Sequence, residues 1–409
     1  MRTYSNKTVV LGVTGSIAAY KACELASRLV ERGAKVIPVL TKSAREFVGP
    51  ASFEAITGQR AILNMFGDET NPDIEHIAVA KAADAFIIAP ATAHIIAKMA
   101  NGLADDWLTT TLLATRAPVL VAPAMNTNMY THLATQANLA TLRERGCHVV
   151  GPDSGRQACG TIGPGRLIDP AAILDSAMPL LSDRHELRGK KVLITSGGTH
   201  EPLDPVRYVG NRSSGKMGLA LAEEAYARGA DVTVVTGPST TALPHVVEMV
   251  CVETAREMAA AVQERLPDCD VFIAAAAVAD YRPEGASETK HKRNGESLIV
   301  SLSENPDILA YAGNNKKPDQ LIVGFAAETD NLIENAQGKL ERKQLDLIVA
   351  NEVGSVDSGF GFETLRAVII TPNASVPKPY LYNKENLAAA VFDRIAGLLK
   401  KRPAETVRR

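Results

Sequence analysis

Short apolar runs alternate with longer amphipathic stretches along most of the chain. The runs at 9–13, 36–40, 85–89 and 119–121 have no polar alternation and are rich in Val, Ile, Leu and Ala. A strand that is apolar at every position is buried on both faces, as in a parallel sheet covered by helices. The stretches 18–32, 43–57 and 103–115 between them read as helices, and Gly33 stops the first. The pattern returns with strand 192–195, helix 217–228, strand 232–236, helix 255–264 and strand 271–275, then strands 322–325 and 347–349. Both halves therefore read as α/β, as two doubly wound, Rossmann-like domains with ligands expected at the carboxyl ends of their strands.

Two segments interrupt the alternation. Residues 151–169, GPDSGRQACGTIGPGRLID, are too crowded with Gly and Pro for a helix or an inner strand. They read either as a surface linker or as a functional flap, and a Cys set among small residues favours the flap. Residues 183–191, DRHELRGKK, are charged and mark the junction between a first domain, 1–188, and a second, 189–409.

Composition agrees with two well-packed cores. The 409 residues are 46% hydrophobic and 22% charged, with a formal net charge of −2. That balance leaves no electrostatic footprint for nucleic acid or an anionic membrane. No apolar run approaches a membrane span, and the first eight residues, MRTYSNKT, are too polar for a secretory signal. The cysteines at 23, 147, 159, 251 and 269 are scattered and never form CxxC, which fits free thiols in a reducing cytoplasm.

Each half opens with a strand that breaks at small residues and re-enters as a helix, VVLGVTGSIAAYKA at 9–22 and VLITSGGT from 192. Such a turn aims backbone N–H groups and a helix dipole at one spot, which suits a phosphate. The first turn is not GxGxxG. It is either an ordinary βα turn or a cradle in which Gly15 and Ser16 meet the single phosphate of a mononucleotide such as FMN. Thr41 after the second strand, and Thr92 and Ala93 after the third, converge on the same sheet edge. Asn126, in PAMNTNM after the fourth strand, is either a helix cap or a ligand that donates to a carboxylate. His76 reads as a structural histidine or a base at the start of a helix.

GSIAAYKA, EHI, APATAHIIAKMANGLADD, PAMNTNMY and QACGTIGPGRL occur in that order within 7–180. Together they resemble the homo-oligomeric flavin-containing cysteine decarboxylases, and within them the phosphopantothenoylcysteine decarboxylase half of the bifunctional bacterial coenzyme A enzymes. The resemblance implies a flavodoxin-like domain that binds FMN at Gly15, Ser16, Thr41, Thr92 and Ala93. It also implies that His76 is the base, that Asn126 holds the substrate carboxylate and that Cys159 lies on a flap. In that chemistry the cysteinyl thiol is oxidised to a thioaldehyde, an electron sink for the departing CO2. The enethiolate left behind is then reduced, with a proton from Cys159. The family commonly reads GRM where this chain has Gly165, Arg166 and Leu167, an apolar exchange.

In the second half, SSGKMG lacks the first Gly and the final Ser/Thr of a P-loop and is not one. Ser213, Ser214 and Gly215 read instead as a phosphate nest. Asp280 is expected at the end of a buried strand, AAAAVAD. TKHKR at 289–293 is either a solvated charge run or a source of cations, and NPDI caps a helix. Lys339 and Lys343 at i, i+4 share a helix face and can clamp a triphosphate.

TSGGTHEPLDPVR, NRSSGKMG, AAAAVADYR, ENPDI, GFAAET and RKQLDLIVAN, across 189–400, resemble the phosphopantothenate–cysteine ligases. The resemblance implies that the carboxylate of 4′-phosphopantothenate attacks the α-phosphate of CTP, giving an acyl-cytidylate and pyrophosphate, after which the cysteine amine displaces CMP. The 4′-phosphopantothenoylcysteine so made is the substrate of the first half. Asn211 and Lys290 take catalytic positions. Ala274, Ala275, Ala276, Asp280, Lys290, Pro306, Asp307, Ile308, Leu309, Phe325, Lys339 and Lys343 take positions at CTP. Arg212 stands where the family commonly has His, and Lys292 neighbours Lys290. A divalent cation, Mg2+ or Mn2+, is expected on the triphosphate rather than in a protein cage. Trimeric decarboxylase and dimeric ligase contacts are implied, closing into an assembly as large as a dodecamer. Two rivals stand beside this reading. A flavin-dependent decarboxylase of another cysteinyl substrate would not need the second half, and a non-catalytic regulatory flavoprotein would not need His76 and Cys159.

Overall fold

The computed structural model describes residues 4–65, 75–292, 297–328, 330–352, 364–372, 374–375 and 377–401. By internal contacts the chain divides into two compact units, Met1–Asp183 and Arg184–Arg409.

The first unit is built on five parallel strands, β1 (Thr8–Val13), β2 (Lys35–Leu40), β3 (Ala85–Ala91), β4 (Val119–Pro123) and β5 (His148–Val149), in the order β2-β1-β3-β4-β5. The order reverses beside β1, so the loops after β1 and β3 diverge and leave a crevice at their carboxyl ends. β3 is buried at every position, as its unbroken apolar run requires. The expected helix 43–57 is split into a 3-10 turn, Ala44–Glu46, and a helix, Pro50–Thr57. Gly49 is extended and Pro50 takes the first helical position, because the proline ring excludes a helical residue before it. The helix expected from 103 starts at Trp107 instead, where Asp106 and Thr109 form a reciprocal capping box. The 151–169 segment, expected to be neither helix nor inner strand, contains regular structure. It folds into an antiparallel hairpin of β6 (Asp153–Arg156) and β7 (Ile162–Arg166). Gly165, at φ 131, lets that hairpin lie on the turn after β4, since a Cβ there would stand 2.3 Å from the Met125 carbonyl oxygen.

The second unit contains β8 (Lys191–Ser196), β9 (His200–Pro202), β10 (Tyr208–Gly210), β11 (Asp231–Thr236), β12 (Glu248–Cys251), β13 (Val271–Ala274), β14 (Tyr281–Pro283), β15 (Leu302–Glu304), β16 (Leu321–Glu328), β17 (Leu347–Glu352), β18 (Thr364–Ile370) and β19 (Tyr380–Asn383). Its main sheet runs β12-β11-β8-β13-β16-β17-β18-β19, parallel through β17 and antiparallel at β18 and β19. Two short antiparallel ribbons, β9–β10 and β14–β15, follow the ends of β8 and β13. Apolar clusters cover both faces of the sheet. The last helix, Lys384–Lys401, adds Leu387, Val391, Phe392 and Ile395 to one of them. A fully buried guanidinium sits under that helix. Arg228 Nε donates to Glu224 Oε1 at 2.7 Å, and Nη2 donates to the Ala389 carbonyl at 3.0 Å and lies 2.8 Å from Asp393 Oδ1. Its own ion pairs offset the desolvation of that charge, so the helix and the cation depend on each other.

Candidate active sites

A cavity of about 700 Å³ opens at the carboxyl ends of the first unit's strands, lined by Thr14, Gly15, Ser16, Thr41, Ser43, Arg45, Thr92, Lys98, Asp105, Asp106 and Trp107 among others. Hydrogen bonds fix the strand ends that form its rim. Thr14 Oγ1 donates to the Pro90 carbonyl at 2.7 Å and accepts from Thr92 N at 3.1 Å. Ser16 caps the turn Ile17–Ala19, its Oγ accepting from Ala18 N, and Thr92 caps the helix Ala93–Asn101. At Gly15 an added Cβ would stand 2.4 Å from Ser43 Cβ, so only Gly lets these two turns close on one another. Ala93 takes the first helical position and is not among the lining residues.

Sequence reasoning gave no role to an ionic cluster in the same lining. Lys98 Nζ lies 2.6 Å from Asp105 and 3.1 Å from Asp106. Burial works against the charged form of Asp106, but hydrogen bonds from Thr109 and Lys98 outweigh it and hold the carboxyl below its usual range. The indole N–H of Trp107 is buried and has no hydrogen-bond partner among the described residues. The signal for these residues was present in MANGLADDW, whose acidic pair follows the helix of Lys98.

The hairpin β6–β7 brings Cys159 to Asn126. Asn126 Oδ1 accepts from Asn128 N at 2.9 Å, capping the helix Thr127–Thr131, while its Nδ2 donates to Cys159 Sγ and Gln157 Oε1, each at 3.3 Å. The cap and the outward-facing amide thus coexist in one side chain. Gln157 holds the hairpin down by donating to the Met125 and Pro164 carbonyls. It is another residue to which no role was given, although it opens the QACG motif. Cys159 is exposed, and its thiol is brought down to about 7 chiefly by the Thr161 hydroxyl at 3.4 Å and the Thr161 backbone, then by Asn126. His76 lies within the first turn of the helix Glu75–Ala82 and is not among the residues lining the cavity.

In the second unit a cavity of about 760 Å³ takes in Asn211, Ser213, Ser214 and Gly215 together with Ala274, Ala275, Ala276, Asp280, Pro306, Asp307, Ile308, Leu309, Phe325, Lys339 and Lys343. Asp280 is not at a strand end, because β13 stops at Ala274. The chain from 275 to 280 instead crosses the ends of its neighbours: Ala276 N donates to Thr195 Oγ1, Ala277 N to the Gly197 carbonyl and Ala279 N to Thr199 Oγ1. Asn211 Nδ2 donates to the Val278 carbonyl at 2.8 Å, and Asn305 Nδ2 to the Ala279 carbonyl at 2.9 Å. Asp307 caps the helix Ile308–Asn315 and pairs with Lys343 at 2.7 Å, while Lys339 pairs with Glu328 at 2.5 Å. Lys290 is not among the lining residues; Asn351, Leu365 and Lys384 are. These three come from the end of β17, from β18 and from the start of the last helix, and the β18–β19 pair did not emerge from the hydropathy pattern. Arg293 and Thr329, the final residues of TKHKR and GFAAET, lie outside the described residues.

Among the described residues, no group of three or more His, Cys, Asp or Glu could hold a metal ion, and no helix is long and apolar enough to cross a membrane. Residues 1–182 match the family described as Flavoprotein, and residues 187–399 match the DNA/pantothenate metabolism flavoprotein C-terminal domain. The Coenzyme A biosynthesis bifunctional protein CoaBC of Vibrio vulnificus is 42% identical over 401 residues, covering 98% of this chain and 100% of that one. The protein of the same name from Escherichia coli is 44% identical over 394 residues, covering 96% and 97%. A crystal structure of the C-terminal domain of CoaBC is 37% identical and covers 53% of this chain and 100% of its own, with a TM-score of 0.46. The chain therefore belongs to the bifunctional coenzyme A biosynthesis proteins, enzymes that join a phosphopantothenoylcysteine decarboxylase to a phosphopantothenate–cysteine ligase.

Proposed function

We propose that the first domain, 1–188, holds FMN in the cavity of Gly15, Ser16, Thr41 and Thr92 and acts on 4′-phosphopantothenoylcysteine, which the second domain, 189–409, makes with CTP. The observation that carries the decarboxylase assignment is the 3.3 Å contact between Asn126 Nδ2 and Cys159 Sγ. A carboxylate-binding amide and a proton-donating thiol are thereby presented side by side. The close approach of the Gly15 and Ser43 turns, the hydroxyl-rich rim and a Trp107 N–H without a partner among the described residues all fit a flavin mononucleotide. A bound FMN would supply the two-electron redox chemistry for the substrate thiol.

Asn126 orients the carboxylate so that it leaves as CO2 from the carbon next to the oxidised one. Cys159, whose thiol titrates at about 7, then gives a proton to the carbon skeleton at neutral pH. His76 is assigned as the base on the family motif EHI, and Ala93 to the flavin site on APATA. In the ligase, Asn211 holds the acyl-cytidylate, Lys290 offsets charge, and the alanine run 274–276, Asp280, the 306–309 turn, Phe325, Lys339 and Lys343 receive CTP. Mg2+ or Mn2+ enters on the triphosphate, whose charge must be neutralised during nucleotidyl transfer. The enzyme works in the cytoplasm as a homo-oligomer with trimeric decarboxylase and dimeric ligase contacts.

One incubation tests both halves. With 4′-phosphopantothenate, cysteine, CTP and Mg2+, yellow purified protein should form pyrophosphate, CMP, CO2 and 4′-phosphopantetheine in step. Colourless protein without flavin uptake, or equal turnover with ATP, would overturn the corresponding assignment.

Two narrower outcomes follow from the geometry. Gly15→Ala forces the Ser43 turn away, so flavin content should fall by at least about tenfold, the equivalent of about 1.4 kcal/mol, with the ligase rate unchanged. Flavin absorbance per mole of purified protein reads this, and normal yellow protein would remove Gly15 from the cradle. Alkylation of Cys159 by iodoacetamide, followed on its own peptide by mass spectrometry, should show a midpoint near pH 7, while Cys269, pushed up to about 11 by burial, stays unreacted. A Cys159 midpoint above about 8.5, the ordinary thiol value, would show that Thr161 and Asn126 do not stabilise its thiolate.

A further inference from the structure

The basic segment that carries Lys290 is clasped from behind. Asp204 lies in the turn after β9 with its side chain wholly withdrawn from solvent. Its Oδ1 accepts from Val206 N at 2.8 Å and Arg207 N at 2.9 Å, and its Oδ2 accepts from His291 N at 3.2 Å. The carbonyl of the same His291 accepts from Arg207 Nη2 at 2.6 Å. On the other side of Lys290, Ser287 N donates to the Leu203 carbonyl at 3.0 Å, and Ser287 Oγ to the Thr289 carbonyl at 2.7 Å. Both polar backbone groups of the residue after Lys290 are therefore held by the 203–207 turn. A carboxylate removed from water is stable only while its lone pairs are used, so this one is a fixed post rather than a surface charge.

We propose that Asp204 is a positioning residue for the ligation. Through the His291 N–H it sets the backbone from which the Lys290 ammonium meets the charge of the acyl-cytidylate. The inference rests on the reading of Lys290 given above. Lysine is a point charge on a flexible stem, so the place of its backbone decides what it can reach. A displacement of about 1 Å in a group that stabilises charge can lower a rate by about a hundredfold.

Asp204→Asn tests this in the full-length enzyme. The asparagine presents one oxygen and one NH2, so at least one N–H of the clasp faces another donor. The expected result is a fall of about 10- to 100-fold in ligase kcat, with the KM for CTP within about twofold and the decarboxylase rate unchanged. Amide exchange over 287–291 should accelerate. The deciding measurement is a cycle with Lys290→Gln: in that background Asp204→Asn should remove nothing more. His291→Pro removes the donor at the far end of the clasp and also restricts the Lys290 backbone directly, and should reproduce the loss and the non-additivity even where Asp204→Asn folds poorly. Losses that multiply independently in the cycle, or a wild-type kcat for both clasp variants, would overturn the proposal. A wild-type rate for Lys290→Gln alone would instead remove Lys290 from the chemistry, and the positioning role with it.

Discussion

Cys159→Ser should separate CO2 release from formation of the saturated product. The serine hydroxyl can keep the hydrogen bond to Asn126, so the carboxylate is still bound and still lost. It cannot act as the acid, because a hydroxyl stays protonated far above neutral pH, whereas the thiol titrates at about 7. General acid catalysis contributes about 10²–10⁴-fold, and the rate of reduced product should fall by that much while labelled CO2 appears near the wild-type rate. The unreduced enethiol should accumulate with its own ultraviolet absorbance. The wild-type enzyme should lose reduced product as the pH rises past about 7, since the thiolate has no proton to give. Normal yields of 4′-phosphopantetheine from Cys159→Ser would refute the role.

Lys343→Ala should damage the ligase more than loss of one cation would suggest. In the wild type Lys343 lies 2.7 Å from Asp307 and Lys339 lies 2.5 Å from Glu328, so each ammonium already neutralises a carboxylate beside the nucleotide cavity. At the CTP site proposed above, removing Lys343 would take a positive charge from the triphosphate and leave Asp307 to repel it. We expect kcat/KM for CTP to fall by about 10²–10³-fold, with the decarboxylase untouched. Adding Asp307→Asn should restore part of the loss, because Asn still caps the helix and carries no charge. Burial opposes ionisation of Asp307, but the bonds from Lys343 and Ala310 N outweigh it and hold its carboxyl below the usual carboxylate range. Its contribution to stability is therefore fully present above the ordinary carboxylate range and is lost as the pH falls through its depressed folded value. Equal CTP kinetics in Lys343→Ala and the double variant would show that Asp307 does not repel the nucleotide.

The inner parallel strands could be read directly, because burial on both faces leaves continuous apolar runs such as 85–89. The outer pair was not readable in the same way. β18 includes Arg366 and is only partly covered, so TLRAVII has neither the unbroken run of an inner strand nor a strict alternation. Helix edges moved wherever a local competitor was stronger than periodicity, as at Pro50 and at the Asp106–Thr109 box. Composition alone excluded a helix or an inner strand at 151–169, and the same glycines permit the close approach of Gly165 to Met125 that seats the hairpin. In the candidate sites, many motif residues on strand ends gathered in the cavities, while His76, Ala93, Asn126, Cys159 and Lys290 are not among the lining residues. Tertiary partners such as Lys98–Asp105 and Asp204–His291 join residues whose pairing no periodic pattern encodes.

The dependence of Arg228 on the last helix orders events during synthesis. A ribosome will have released all of Met1–Asp183 long before it makes Ala389 and Asp393, the partners that complete the burial of this guanidinium. The first unit can consequently finish folding while more than half of the chain is still being translated, since domains fold as units from the N-terminus. The second unit must wait for Ala389 and Asp393. A message truncated before Ala389 would leave an intact first half beside a second half whose buried guanidinium keeps Glu224 but lacks its Ala389 and Asp393 partners.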